Sequence, residues 1–190
     1  MKSRISTLTV LSALLAFAAM TAHADEYVDT VNVFKKAGSS AAFFKNSYGY
    51  AVFPTIGKGG LVVGAAHGNG RVYEHGQYVG DTSITQLSIG FQAGGEAFSE
   101  IIFFENKATF DKFTQGNFEL AATAQAMAIT AGASASAGTK GATAGASGTQ
   151  DSALTAGKYI DGTAIFTVAK GGLMYEASVA GQKFSYKPNK

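Results

Sequence analysis

From Gly49 to Phe104 the chain alternates short apolar runs with Gly, Pro, Asn and Asp. The runs are Tyr50 to Phe53, Leu61 to Ala66, Leu87 to Ala93 and Ile101 to Phe104, and this punctuation predicts β-strands joined by tight turns. Leu87, Ile89, Phe91 and Ala93 alternate with Ser88, Gly90 and Gln92, a period of two that gives a strand one core-facing side. Gly64, Gly90, Gly94 and Gly95 fall inside the predicted strands, where backbones approach closely or a sheet bends. The segment therefore reads as a strand-rich core that curls, with the set Gly64, Gly68 and Gly70 supplying curvature and a turn.

Flanking segments add helices. Over Asp25 to Asn46, Val28, Val31, Phe34 and Ala37 or Ala41 fall near a 3.6-residue spacing, with Asp25, Glu26 and Asp29 where the helix dipole favours acids. Gly38-Ser39-Ser40 is placed to divide it into two. Its apolar stripe is expected to pack on the sheet, leaving Lys35, Lys36 and Lys45 solvated; the alternative is a basic helix at a membrane interface, tipped by Phe43 and Phe44. A second helix is predicted over Asn106 to Gln115, capped by Asn106, ended by Gly116, and burying Phe110 and Phe113. Phe118 to Ala131 carries both an alanine-rich helical signal and a partial alternation. Gly132 to Gln150 is almost wholly Gly, Ala, Ser and Thr, and reads as a flexible loop or low-complexity hairpin. Tyr159 to Val168, Leu173 to Ala180 and Lys183 to Tyr186 read as closing strands, with turns at Lys170-Gly171-Gly172 and Gly181-Gln182. The predicted fold class is α+β: a curved, barrel-like, mostly antiparallel sheet with an N-terminal amphipathic helix and one further short helix.

Several of these stretches together resemble the SYLF domain family. They are GYAVFP at Gly49 to Pro54, KGG at Lys58 to Gly60, the glycines Gly64, Gly68 and Gly70, SIGFQ at Ser88 to Gln92 with Gly94 and Gly95, and IIFF at Ile101 to Phe104. The match continues through Ala108 to Phe113 and ends on GTAIFTVAKGGLMYEASVAGQKFSY. Each motif is short, and it is their order and spacing that make the resemblance specific. It implies a strand within Phe118 to Ala131. It also implies binding of phosphoinositides or other anionic lipids through basic residues and an N-terminal amphipathic helix. In fungal relatives the domain bundles actin, a partner not expected here. The basic positions matching the pattern are Lys58 and, less closely, Lys35, Lys36 and Arg71; Phe43 and Phe44, on the amphipathic helix, are the candidate apolar anchors beside them.

The first 24 residues change the charge balance. Lys2 and Arg4 precede an apolar run from Leu8 to Met20, and Ala22-His23-Ala24 precedes Asp25, which is the pattern of a cleaved secretory signal. The apolar run is shorter than a membrane-spanning helix needs. The chain contains no cysteine, so a lipid anchor on an N-terminal cysteine and disulfides are both excluded. Removing the leader takes two of the 15 basic residues and no acid, so 13 bases face 13 acids in a single domain of 166 residues (25–190). A neutral chain with no basic face is a poor nucleic-acid binder.

Catalytic patterns are sparse. His67 and His75 flank Gly68-Asn69-Gly70, expected to be a hairpin turn, with Glu74 and Asp81 nearby; exposed hairpin histidines are preferred to a metal site because no ligand spacing is present. Glu96 and Glu100 share strand parity but stand four residues apart. Neither a nucleophile elbow nor a phosphate-binding glycine loop occurs. The expected function is a non-catalytic, cofactor-free lipid-binding module of the bacterial envelope, with anionic phospholipid or the membrane surface as partner. The alternative is a structural, self-associating envelope protein. The exported chain should begin at Asp25; intact-mass measurement of exported protein that still carries Met1 would contradict the leader reading.

Overall fold

The computed structural model of the chain describes residues 26–59, 63–89, 96–120, 126–129, 158–170 and 181–190. The leader, the predicted strand at Leu173 to Ala180, the turn residues Gly60, Gly171 and Gly172, and the Gly132 to Gln150 segment lie outside them.

One sheet organises the domain. Its strands are β1 (Gly49–Gly59), β2 (Val63–Glu74), β3 (Gln77–Ile89), β4 (Glu96–Phe104), β5 (Phe118–Glu119), β6 (Ala126–Ile129), β7 (Thr163–Lys170) and β8 (Lys183–Pro188), in the order β5-β8-β3-β2-β1-β4-β7-β6. All neighbours pair antiparallel except β6, which joins β7 in parallel. The fold is α+β with a curved, half-barrel sheet. The ambiguous stretch after Phe118 contributes strands, β5 and β6, as the family resemblance implies.

Side-chain alternation gives the sheet two buried faces. The concave face carries Ala51, Phe53, Ile56, Ile84, Phe98, Ile102, Phe104, Ile165 and Phe184. It is closed by helix α4 (Lys107–Thr114), whose Phe113 packs against Phe104 and Phe184 at ring separations of 4.7 and 5.3 Å. α4 forms as expected: Asn106 Oδ1 accepts the Thr109 amide at 3.0 Å, and Gly116 leaves the helix with φ +82°. The convex face carries Tyr50, Val52, Ile101, Phe103, Ala164, Phe166 and Val168 under the N-terminal helices.

Those helices are α1 over residues 26–36, α2 (Gly38–Ala41) and α3 (Phe43–Asn46). The break comes at Ala37, which is extended, and again at Ala42, so the segment divides into three pieces rather than two. Ser40 stabilises the first break by donating its hydroxyl to the Phe34 carbonyl at 2.6 Å, satisfying a group the helix end leaves open. Val31 and Phe34 are buried as predicted, whereas Val28 is 58% exposed and Thr30 takes the buried place. The helix is thus rotated relative to the predicted stripe, because Tyr27 and Thr30 face the sheet.

The strands β2 and β3 are longer than their apolar runs, and this corrects the reading of Gly68-Asn69-Gly70 as a turn. All three residues are inside β2, paired in turn with Ile84, Ser83 and Thr82 of β3. A Cβ on Gly70 would come within 2.6 Å of the Phe53 ring, so this position is glycine because the concave side chains need the space. The turn is instead His75-Gly76, whose φ values of +48° and +83° suit a two-residue hairpin.

Curling brings distant strands together. β8 and β4 are four strand spacings apart in the sheet order, about 19 Å along a flat sheet. Yet Gln182, one residue before β8, donates from Nε2 to Glu100 Oε2 on β4 at 3.1 Å, and both side chains are fully buried. Burial pushes the Glu100 carboxyl up from 4.5 to about 8, against the smaller lowering effect of the Gln182 hydrogen bond. The folded chain therefore keeps a proton that the unfolded chain releases. Stability should be greatest below the ordinary carboxylate range and fall as pH rises towards 8, by up to about 1.4 kcal/mol per unit. Urea unfolding of wild type and Glu100→Gln across pH 5 to 8 checks this. The variant should lose that part of the slope, and parallel profiles for the two proteins would contradict it.

Candidate functional site

The N-terminal helices, the start of β1 and the β2–β3 hairpin enclose a cleft of about 300 Å³. α1 contributes Lys35, α3 contributes Phe44 and Lys45, the following chain Ser47, Tyr48 and Tyr50, and the hairpin His75 and Gly76. Lys45 of α3 thereby joins Lys35 of α1 in the lining of one cleft. Lys35 Nζ lies 5.5 Å from the centre of the Phe44 ring, a cation–π arrangement that holds the ammonium over the aromatic wall. Phe44 in turn packs edge-on against Tyr50 and Phe103 at 5.3 and 4.9 Å.

The remaining wall is polar. Tyr48 donates its hydroxyl to Glu74 Oε1 at 2.5 Å and stacks edge-on to His75 at 4.5 Å. That hydrogen bond to a carboxylate raises the Tyr48 pKa, so its phenol stays a donor. Glu74 is thereby tied to Tyr48 beside the cleft, and the basic side chains in the lining are Lys35, Lys45 and His75. A cleft with basic and aromatic side chains and hydroxyls in its lining can take a compact anionic group attached to something apolar.

The structure separates the other predicted site residues. Lys36 is exposed on α1, beside but not lining the cleft. Phe43, one of the two candidate membrane anchors, is buried instead: it meets Phe103, Tyr159 and Phe166 at 5.5, 5.1 and 5.1 Å in the convex core. Arg71 has its guanidinium between Tyr27 and Tyr78, 4.3 and 5.1 Å from their centres, where it ties α1 to the sheet. Lys58 is nine residues along β1 from Gly49, roughly 30 Å from the cleft end of the strand; its backbone is paired with Ala66 and Glu96, and its side chain is outside what the structure describes.

The sequence reading did not place Lys45, Tyr48 or His75 in a common site. His75 was weighed with His67, Glu74 and Asp81, but His67 lies inside β2 and His75 in the turn after its end, eight residues on and roughly 26 Å along extended chain, because the expected turn between them is strand. His67 Nδ1 is instead 3.5 Å from Thr85 Oγ1 on the exposed surface. Among the described residues no group of three or more His, Cys, Asp or Glu side chains is arranged to hold a metal. Among them, too, no helix is long and apolar enough to cross a membrane.

Comparison with known proteins agrees with the motif order. The family model of Ysc84, described as Las17-binding protein actin regulator, matches residues 85–189, more than half of the chain. Beta cell expansion factor A of Aeromonas veronii is similar, with 29% identity over 158 residues, covering 81% of this chain and 51% of that protein. The chain thus spans about half the length of that curated relative. Ysc84 is the SYLF family, which is not a known enzyme family. From the family match over its C-terminal half, the ordered motifs before it and the curled antiparallel sheet, the chain belongs to the Ysc84 (SYLF) domain family.

Proposed function

We propose that this chain is a non-catalytic lipid-binding module that takes an anionic headgroup in the cleft between α1, α3 and the β2–β3 hairpin. The observation that carries the reading is the convergence of Lys35, Lys45 and His75 beside the ring of Phe44. The link of the SYLF family to lipid binding supports it. With the leader-like segment at its start, the membrane concerned is in the bacterial envelope, met after export to the periplasm or beyond.

The geometry gives the basic residues unequal roles. Lys35 and Lys45 contact the headgroup, and Lys36 adds surface charge next to them. Arg71 holds α1 in place, and Lys58 is too far along β1 to share the same headgroup. Phe44 supplies the apolar side of the cleft, while Phe43 keeps α3 seated. A neutral chain binds an anionic surface only where charge is gathered locally, and α1 with α3 gathers three lysines within a few turns.

Each basic residue near an anionic surface contributes about 1 kcal/mol, fading over a Debye length of ~8 Å at physiological salt. Replacing Lys35, Lys36 and Lys45 with glutamine should weaken binding to anionic liposomes roughly 100-fold, and salt should weaken the wild type far more than the variant. Lys58→Gln alone should change binding less than two-fold, by the same screening argument (about 0.4 kcal/mol or less). Co-sedimentation with anionic and zwitterionic liposomes at two salt concentrations measures all of these. Wild-type protein that ignores anionic liposomes at low salt would sink the lipid reading and leave a structural, self-associating role. The two phenylalanines should also part company: Phe44→Ala lowers binding with little change in salt dependence, whereas Phe43→Ala costs about 3–5 kcal/mol of stability in chemical unfolding. A Phe43→Ala protein as stable as wild type would show that the ring does not seat α3.

A further inference from the structure

The concave face holds a second cluster that the cleft does not use. Glu100, Thr167 and Gln182 are each fully buried, and each keeps one side-chain oxygen without a hydrogen-bond partner: Glu100 Oε1, Thr167 Oγ1 and Gln182 Oε1. Glu100 and Thr167 are direct cross-strand partners on β4 and β7, and side chains so paired start from Cβ atoms ~5 Å apart. Gln182 reaches the same point from the other side of the curl, 3.1 Å from Glu100 Oε2. Its backbone is fixed there, because the Leu120 amide donates to the Gln182 carbonyl at 3.0 Å and the Gly181 amide donates to the Leu120 carbonyl at 3.2 Å. Three orphaned oxygens on side chains this close in the fold cost more than a native core ordinarily tolerates.

We propose that Glu100, Thr167 and Gln182 form an internal binding site for one neutral hydroxyl-type oxygen, seated between β4, β7 and the start of β8. The donor and acceptor inventory selects that ligand. A protonated Glu100, accepting from Gln182 at Oε2, has an Oε1–H to give. Thr167 gives and accepts, and Gln182 Oε1 only accepts. A hydroxyl oxygen accepts from the acid and the threonine and donates to the amide oxygen, matching all three. An anion would meet the acceptor-only Gln182 oxygen unfavourably. A hard cation wants six or more oxygens and an ionised carboxylate, and the cluster offers three oxygens around an acid that burial keeps neutral. Among the described residues that face Glu100 from its neighbouring elements, Phe53 on β1, Thr167 on β7 and Gln182, none is charged. The neighbouring Phe53 and Ile102 are fully buried, so the surroundings of the cluster are apolar.

Two sources supply such an oxygen: a water molecule, or the alcohol end of an amphiphile threaded into the curl. A high-resolution crystal structure of the full purified chain, before and after delipidation, separates them. Isolated density within 3.2 Å (about the upper limit of a good hydrogen bond) of at least two of the three oxygens, unchanged by delipidation, is water. Density continuous with a longer molecule and lost on delipidation is an amphiphile, and either result supports the site. A metal ion there, or direct pairing of the three side chains with no oxygen between them, overturns it. Thr167→Val gives an independent readout. If the hydroxyl is unused, removing it relieves an orphaned group and the melting temperature holds or rises, which also overturns the proposal. If the hydroxyl binds the oxygen, the melting temperature falls, and restoring the group as Thr167→Ser recovers part of the loss.

Discussion

A hydrogen bond between Glu100 and Gln182 measures how far the sheet is bent, because it joins strands that a flat sheet would hold about 19 Å apart. Everything else on the concave face is consistent with that closure. Phe53 can meet Phe184 at 5.7 Å, and Phe113 can meet both Phe104 and Phe184, only because the two flanks of the sheet approach. The bend also sets the demand for glycine at Gly70, where the Phe53 ring occupies the volume of a side chain. A carboxyl is a costly group to enclose in this way. It is tolerated here as a neutral acid, with the amide of Gln182 as its partner.

The convex face is built differently, and it is where the cleft lined by Lys35 and Lys45 lies. Short helices, not a long one, cover this face, and Lys35 and Lys45 come to the cleft from two of them. Attachment of α1 mixes apolar and polar contacts: Val31 and Phe34 are buried, Arg71 is sandwiched by Tyr27 and Tyr78, and Lys170 Nζ contacts both Glu26 Oε1 at 3.1 Å and Thr55 Oγ1 at 2.7 Å. The Glu26–Lys170 pair is about 40% exposed on each side, so it orients α1 more than it holds it. The packed sheet thus provides a rigid floor, and the cationic groups stand on its least regular cover.

Much of the fold was legible in the residues. The unbroken apolar run Ile101 to Phe104 marks a strand, and Asn106 with Gly116 marks both ends of α4. The misplaced hairpin turn shows where such reading fails. Gly-Asn-Gly is a strong local turn signal, but those glycines answer a tertiary demand for space, Gly68 beside Thr55 and Ile56 and Gly70 beside Phe53, which no local pattern encodes. The cleft was only half visible for a similar reason. Lys35 and Phe44 stood out by charge and amphipathicity, whereas His75 enters the site through the hairpin register, which shifted once β2 ran on to Glu74. Glu100 was noticed as an acid. Its burial was readable from parity with Phe98, Ile102 and Phe104, but its partner Gln182 lies 82 residues away along the chain.

The central claim is that the cleft between α1, α3 and the β2–β3 hairpin is the headgroup site. Backbone amide NMR, following a titration of the chain with a short-chain anionic phospholipid, tests it residue by residue. The account predicts that the largest shifts fall on Lys35, Phe44, Lys45, Ser47, His75 and Gly76, with the far end of β1 around Lys58 unmoved. Shifts centred on that far end, or spread evenly with none at the cleft, would contradict it.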